Sequence, residues 1–105
     1  MSQSALRSIV AGRVSADDIA RALRGLVPPG HRVVLFGSRA TGRASERSDW
    51  DVGIVGPAPV DGATLERMRD ALERLPTLRA FDVVDLCTAP AELRAAALDE
   101  GVPLA

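Results

Sequence analysis

Val33-Val34-Leu35-Phe36-Gly37-Ser38-Arg39-Ala40-Thr41-Gly42 and, shortly after it, Ser48-Asp49-Trp50-Asp51-Val52-Gly53-Ile54 are the stretches whose reading decides the fold. The apolar run that starts at about Arg32 and ends at Phe36 is β-branched and aromatic, the signature of a buried strand. Gly37 then allows a sharp turn and a close backbone approach. Ser38 adds a hydroxyl at that turn. Residues Arg39 to Arg43 are expected to begin a short helix whose free N–H groups face an anion.

The second stretch opens a second strand with two carboxylates. Asp49 and Asp51 stand at i and i+2, so on a strand they share a face. Two neighbouring carboxylates repel unless a cation lies between them. Mg²⁺ is a hard, oxygen-seeking cation that also contacts substrate phosphates, and it suits such a pair. A phosphate cradle facing a carboxylate pair is equipment for phosphoryl or nucleotidyl transfer.

Gly37-Ser38-Arg39-Ala40-Thr41-Gly42 followed by Ser48-Asp49-Trp50-Asp51 resembles the signature of the DNA polymerase β-like nucleotidyltransferase superfamily. Within it the chain is similar to the minimal nucleotidyltransferase (MNT) group, the partners of HEPN toxins. The resemblance runs from about Val33 to Leu104. It implies a small mixed sheet with flanking helices, an α/β (α+β) nucleotidyltransferase core. It also implies a third acid on strand three. Asp82 and Asp85 are both there, on opposite faces of the strand. Asp82 falls where the family's acid does and is the expected partner of Asp49 and Asp51. Asp85 is the alternative, or else faces solvent or helps start the following turn.

The totals fit this reading. With 105 residues a single domain spanning 1–105 is expected. Hydrophobic residues make up 47% and charged ones 26%, a globular composition. Aromatics are 3%, so the core must be aliphatic. The net charge of −1 exerts no global pull toward nucleic acid or an anionic membrane. All 13 basic residues are Arg, which excludes lysine Schiff-base chemistry and leaves Arg, Ser and backbone N–H groups for phosphate. The single Cys87 cannot close an internal disulfide, so a reducing cytoplasm is expected. No run is apolar enough to span a membrane, and no signal-peptide layout is seen at the N-terminus.

Around the two strands the expected elements alternate. Ser4 to Ala11 reads as a helical turn or two. Ser15 caps a helix with Asp17 and Asp18 in its first turn and Ile19, Leu23, Leu26 and Val27 at helical spacing, stopped by Pro28-Pro29-Gly30. Trp50 to Val55 is strand two. A second helix runs from about Ala63 to Leu75, with Leu65, Met68, Leu72 and Leu75 inward. Strand three spans about Ala80 to Leu86. A last helix opens at Thr88-Ala89-Pro90, carries Leu93, Ala96, Ala97 and Leu98 inward and ends at Gly101. Val102 to Leu104 form a short extension. Trp50 reads as a core or interface residue, His31 as a surface or edge residue and Cys87 as a small buried hydrophobe.

By resemblance, the expected activity is Mg²⁺-dependent transfer of AMP, or another NMP, from ATP to a hydroxyl on a HEPN-type helical partner, which makes the chain an antitoxin. Asp49, Asp51 and Asp82 are the expected catalytic residues and ligands of two Mg²⁺ ions. Gly37 and Ser38 seat the leaving pyrophosphate and Arg39 pairs with the triphosphate. Two alternatives are a binding module that neutralises a helical partner by contact and a transferase subunit for a small-molecule or nucleic-acid acceptor. Either homo- or hetero-oligomers are compatible with the sequence.

Overall fold

A computed structural model describes residues 14–37, 49–77 and 79–104. Among these residues three helices, α1 (Ala16–Leu23), α2 (Gly62–Glu73) and α3 (Ala91–Glu100), pack on a four-stranded sheet of β1 (Arg32–Phe36), β2 (Trp50–Val55), β3 (Phe81–Asp85) and β4 (Val102–Pro103). The sheet order is β3-β2-β1-β4. β1 runs antiparallel to β2 and to β4, whereas β2 and β3 are parallel, joined by α2. This is the expected mixed α/β core.

Strand alternation divides the side chains between two faces. One face carries Val33 and Leu35 of β1, Trp50, Val52 and Ile54 of β2, and Val83 of β3. Against it pack Ile19 and Leu23 of α1 and Met68 and Leu72 of α2, all fully or almost fully buried. The other face carries Phe36, Val55 and Val84, covered by Leu86 and by Ala97 of α3. Gly53 sits on that face because a Cβ there would stand 2.6 Å from the Leu86 Cδ1 atom. Among the described residues, two helices pack on one face and one helix on the other.

Trp50 and Phe81 fix the strand register that matters most. They pair across β2 and β3, with ring centroids 6.4 Å apart and planes 15° from parallel. Such cross-strand aromatic pairs add about 0.5–1.5 kcal/mol beyond area burial. On the next residue, and thus on the opposite face, Asp51 pairs with Asp82.

Local chemistry sets the helix starts. Ser15 is extended (φ −107°, ψ 169°); its hydroxyl accepts the Asp18 N–H at 3.3 Å, and the Asp18 Oδ2 accepts the Ser15 N–H at 2.8 Å. Burial pushes the Asp18 carboxyl up, but these bonds from Ser15 and the Arg21 guanidinium at 3.0 Å outweigh it and hold the group below the usual range. Ser15→Ala is expected to lower stability by about 1 kcal/mol, or roughly 4–8 °C in Tm for a domain near this size, read by thermal denaturation.

Several expectations are corrected. α1 ends at Leu23 and not beyond Leu26: the chain leaves the helix at Arg24 and enters the left-handed region at Gly25 (φ +83°). α2 spans Gly62–Glu73 and β3 spans Phe81–Asp85, each shorter than read. In α3 only Ala97 is buried; Leu93 and Leu98 are exposed. Cys87 is a half-buried free thiol, not a fully buried one. The short extension at 102–104 is present as expected and carries β4, which pairs with Val34 and Leu35, while the Leu104 N–H donates to the Val33 carbonyl at 2.9 Å. The helical turns read in 4–11 and 39–43 lie outside the described residues.

His31 clasps two loops. One ring nitrogen stands 3.1 Å from the Pro29 carbonyl and the other 2.7 Å from the Ala58 carbonyl. Carbonyl oxygens only accept, so both contacts are satisfied only by the doubly protonated ring. The Ala58 carbonyl, then that of Pro29, accordingly raises the imidazole pKa above its ordinary value. A raised folded-state pKa means that the folded protein binds the proton more tightly than the unfolded chain. The clasp therefore contributes fully below the ordinary histidine pKa of about 6.5 and is lost as pH rises through the elevated one. NMR titration of the His31 ring is expected to give a midpoint above about 6.5; a midpoint at or below that value contradicts the clasp.

Candidate active site

The carboxylates gather where β1, β2 and β3 present one end to the single-helix face. Asp51 is the cross-strand neighbour of Phe36 on one side and of Asp82 on the other. Gly37 directly follows Phe36 with φ +75°, and a Cβ there would run into the Asp51 carboxylate. The left-handed turn thus brings bare backbone against Asp51, which only glycine permits without strain.

Asp51 is half-buried. Burial first, then the charges of Asp82 and Asp49, raise its pKa above the ordinary carboxylate value. Asp49 lies just before β2, exposed, and its Oδ1 accepts the Ala80 N–H at 3.1 Å, while the Trp50 N–H donates to the Ala80 carbonyl at 3.0 Å. Asp49 thereby ties the start of β3 to the start of β2 and helps hold Asp82 beside Asp51.

Asp85 is committed elsewhere. It lies on the opposite strand face, where its Oδ2 accepts the Val60 N–H at 2.9 Å and its Oδ1 the Cys87 N–H at 3.0 Å. Both oxygens build the turns that enter α2 and leave β3. Of the two strand-three acids, Asp82 is the one placed next to Asp51.

Asp51 and Asp82 open into a cleft of about 370 Å³ between the sheet and α3. That is within the roughly 300–1,000 Å³ of small-molecule sites. The sheet side comprises Phe36, Gly37, Asp51, Asp82 and Val84, and the α3 side comprises Leu93, Ala96, Ala97 and Glu100. The α3 wall was not foreseen from sequence: an alanine-rich helix carries no distinct polar stripe to mark a cleft-facing side. Ser38 and Arg39 lie outside the described residues.

The donor set suits a hard divalent cation. Two adjacent carboxylates, one of them with its pKa raised by burial and then by the charge of its neighbours, gain when a cation shares them. Among the described residues, however, no three acidic, histidine or cysteine side chains form a ready-made cation cage. Asp51 and Asp82 form a pair, with Asp49 at its edge already holding a backbone N–H.

Residues 30–105 match the model of the family described as "Polymerase beta, Nucleotidyltransferase". A Haemophilus influenzae protein described as "Probable protein adenylyltransferase MntA" is 32% identical over 72 residues, covering 69% of this chain and 62% of that protein. The match therefore spans less than two thirds of that relative's length. Among solved structures, a toxin–antitoxin complex with AMP-PNP superposes with a TM-score of 0.66 at 24% identity, over 88% of this chain and 73% of the other. The MNT antitoxin complex with the tri-AMPylated Shewanella oneidensis HEPN toxin superposes with a TM-score of 0.57 at 22% identity, over 86% and 68%. These structural likenesses show a shared fold. With the family model covering the sheet, the carboxylates and α3, the chain belongs to the polymerase β-type nucleotidyltransferase family.

Proposed function

We propose that the protein transfers an AMP group from ATP to a hydroxyl on a HEPN-type protein partner in the cytoplasm, and so acts as an antitoxin. The observation that carries this reading is the pairing of Asp51 with Asp82 across β2 and β3, facing the cleft beside the left-handed turn at Gly37. The similarity to a protein adenylyltransferase and to MNT antitoxins in complex with HEPN toxins supports the choice of donor and partner.

Asp51 and Asp82, joined by Asp49, would hold Mg²⁺. Bound there, the ions would neutralise charge on the α-phosphate and the departing pyrophosphate. The chain's own residues do the rest. Gly37 and Ser38 would seat the β- and γ-phosphates through backbone N–H groups and the hydroxyl, with Arg39 pairing alongside. The acceptor oxygen attacks the α-phosphorus in line, the bond to the pyrophosphate oxygen breaks, and Asp82 receives the hydroxyl proton. One ester bond forms, one anhydride bond breaks, and pyrophosphate leaves.

A second reading is favoured by the Asp49 bond to the Ala80 N–H, which already engages that carboxylate at the edge of the Asp51–Asp82 pair. On it, the chain neutralises a helical partner by contact alone. Intact-mass spectrometry of the HEPN-type partner after incubation with this protein and MgATP separates the two. The transfer reading predicts mass gains in whole AMP units, absent with the Asp49→Ala/Asp51→Ala variant. A stable complex without any mass gain contradicts it and supports the contact reading.

A further inference from the structure

We propose that the α3 wall of the cleft seats the acceptor rather than the nucleotide, and that Glu100 selects an acceptor hydroxyl with a cationic group beside it. The inference rests on nucleotidyl transfer at Asp51 and Asp82 and assigns the substrate side of that site.

Charge decides which substrate the wall faces. The cleft's described lining has three carboxylates, Asp51, Asp82 and Glu100, and no Arg or His side chain. Divalent cations would neutralise the first two, which are adjacent on the sheet. Glu100 comes from the far side, on α3, and would keep its charge. A triphosphate is a polyanion and is repelled from that side of the cleft. Its phosphates belong at the Gly37 end of the cleft. The space under α3 is left for the other reactant.

Glu100 also sits against its helix's preference. It ends α3 directly after Asp99, and the last turn carries no basic residue. The C-terminal end of a helix carries partial negative charge and favours Lys or Arg. A residue that violates a local rule inside a cleft marks function better than it marks stability. The rest of the wall is apolar: Leu93 is 37% exposed yet lines the cleft, and Ala96 and Ala97 follow it. This wall fits the apolar stem of a hydroxyl-bearing side chain. Glu100 at its end fits a neighbouring Arg or Lys on the same protein segment, and charge complementarity of this kind sets specificity at contact surfaces.

The test uses the full chain, its HEPN-type partner as acceptor and MgATP, with Glu100→Lys, Glu100→Gln and Leu93→Ala. Two quantities are read: the KM for the partner in AMP transfer and the Kd for a non-hydrolysable MgATP analogue. Glu100→Lys is expected to raise the partner KM about tenfold and Glu100→Gln less, the loss of one charge pair. The analogue Kd is expected to stay within about twofold in Leu93→Ala and to hold or tighten in Glu100→Lys. Because lysine suits a helix C-terminus, the Glu100→Lys Tm should equal or exceed that of the wild type, so the KM change is not misfolding. Unchanged partner KM in all three variants overturns the proposal. So does weaker analogue binding in Leu93→Ala, which would assign the wall to the nucleotide. Failure of the wild type itself to transfer AMP overturns the underlying reading instead, and this inference with it.

Discussion

Asp51→Asn is expected to reduce AMP transfer at least about 1,000-fold, some 4 kcal/mol of transition-state stabilisation at 1.36 kcal/mol per tenfold. Asparagine keeps the shape of the side chain between Phe36 and Asp82 and removes only its charge. A cation held there loses the charge of one of its carboxylates, and the electrostatic term is usually the largest in such reactions. The same substitution is expected to stabilise the cation-free protein. Burial and the Asp82 and Asp49 charges raise the Asp51 pKa, so the folded state holds that proton more tightly than the unfolded chain does. The resulting penalty is full above the elevated pKa. It fades as pH falls through that value and is absent below the ordinary aspartate value of about 3.9. The Tm advantage of Asp51→Asn should therefore appear at neutral pH without Mg²⁺ and vanish in acid. Loss of activity with gain of stability is the mark of a site held together for chemistry. A variant that loses stability at neutral pH, or keeps its activity, contradicts this account of Asp51.

Gly37→Ala is expected to damage stability and activity together. At φ +75° any other residue is strained, and the added Cβ would run into the Asp51 carboxylate. The strain costs about 1–3 kcal/mol. Relief requires either the turn or Asp51 to move, and a displacement of about 1 Å at a reacting centre costs about 100-fold in rate. The part of the damage that runs through Asp51 is absent once its charge is gone, so Gly37→Ala should slow Asp51→Asn by a smaller factor than it slows the wild type. Multiplying effects in that double variant would show that Gly37 acts independently of Asp51.

The parts of this fold that the sequence reveals are those that local chemistry decides. β1 and β2 lie where the β-branched runs place them, because Gly37 and the Gly56-Pro57 pair end them sharply. Strand alternation is enough to set Asp82 and Asp85 on opposite faces, and the Asp51–Asp82 register selects Asp82 for the cleft. What stays hidden is decided by tertiary packing. Leu26 and Val27 keep helical spacing after α1 has ended, because side-chain periodicity does not register that Gly25 turns left-handed. Leu93 and Leu98 look inward on an alanine-rich helix, yet Ala97 is its buried residue. β4 is two residues long, one of them proline, and forms only because α3 delivers it to the edge of β1. Asp85 starts the turn after β3 by accepting the Cys87 N–H, as its place at the strand end allows, but nothing in the sequence marks its second bond, from the distant Val60 N–H.

The most direct test of the central claim, that Asp51 and Asp82 form a cation-dependent nucleotide site, is calorimetric titration of a non-hydrolysable ATP analogue. It is done with and without Mg²⁺ on the wild type, Asp82→Asn and Asp85→Asn. The structure predicts binding that needs Mg²⁺, weakens at least about tenfold in Asp82→Asn, and survives in folded Asp85→Asn, whose carboxylate serves turns on the other face. Binding indifferent to Mg²⁺, or weakened by Asp85→Asn and not by Asp82→Asn, would contradict it.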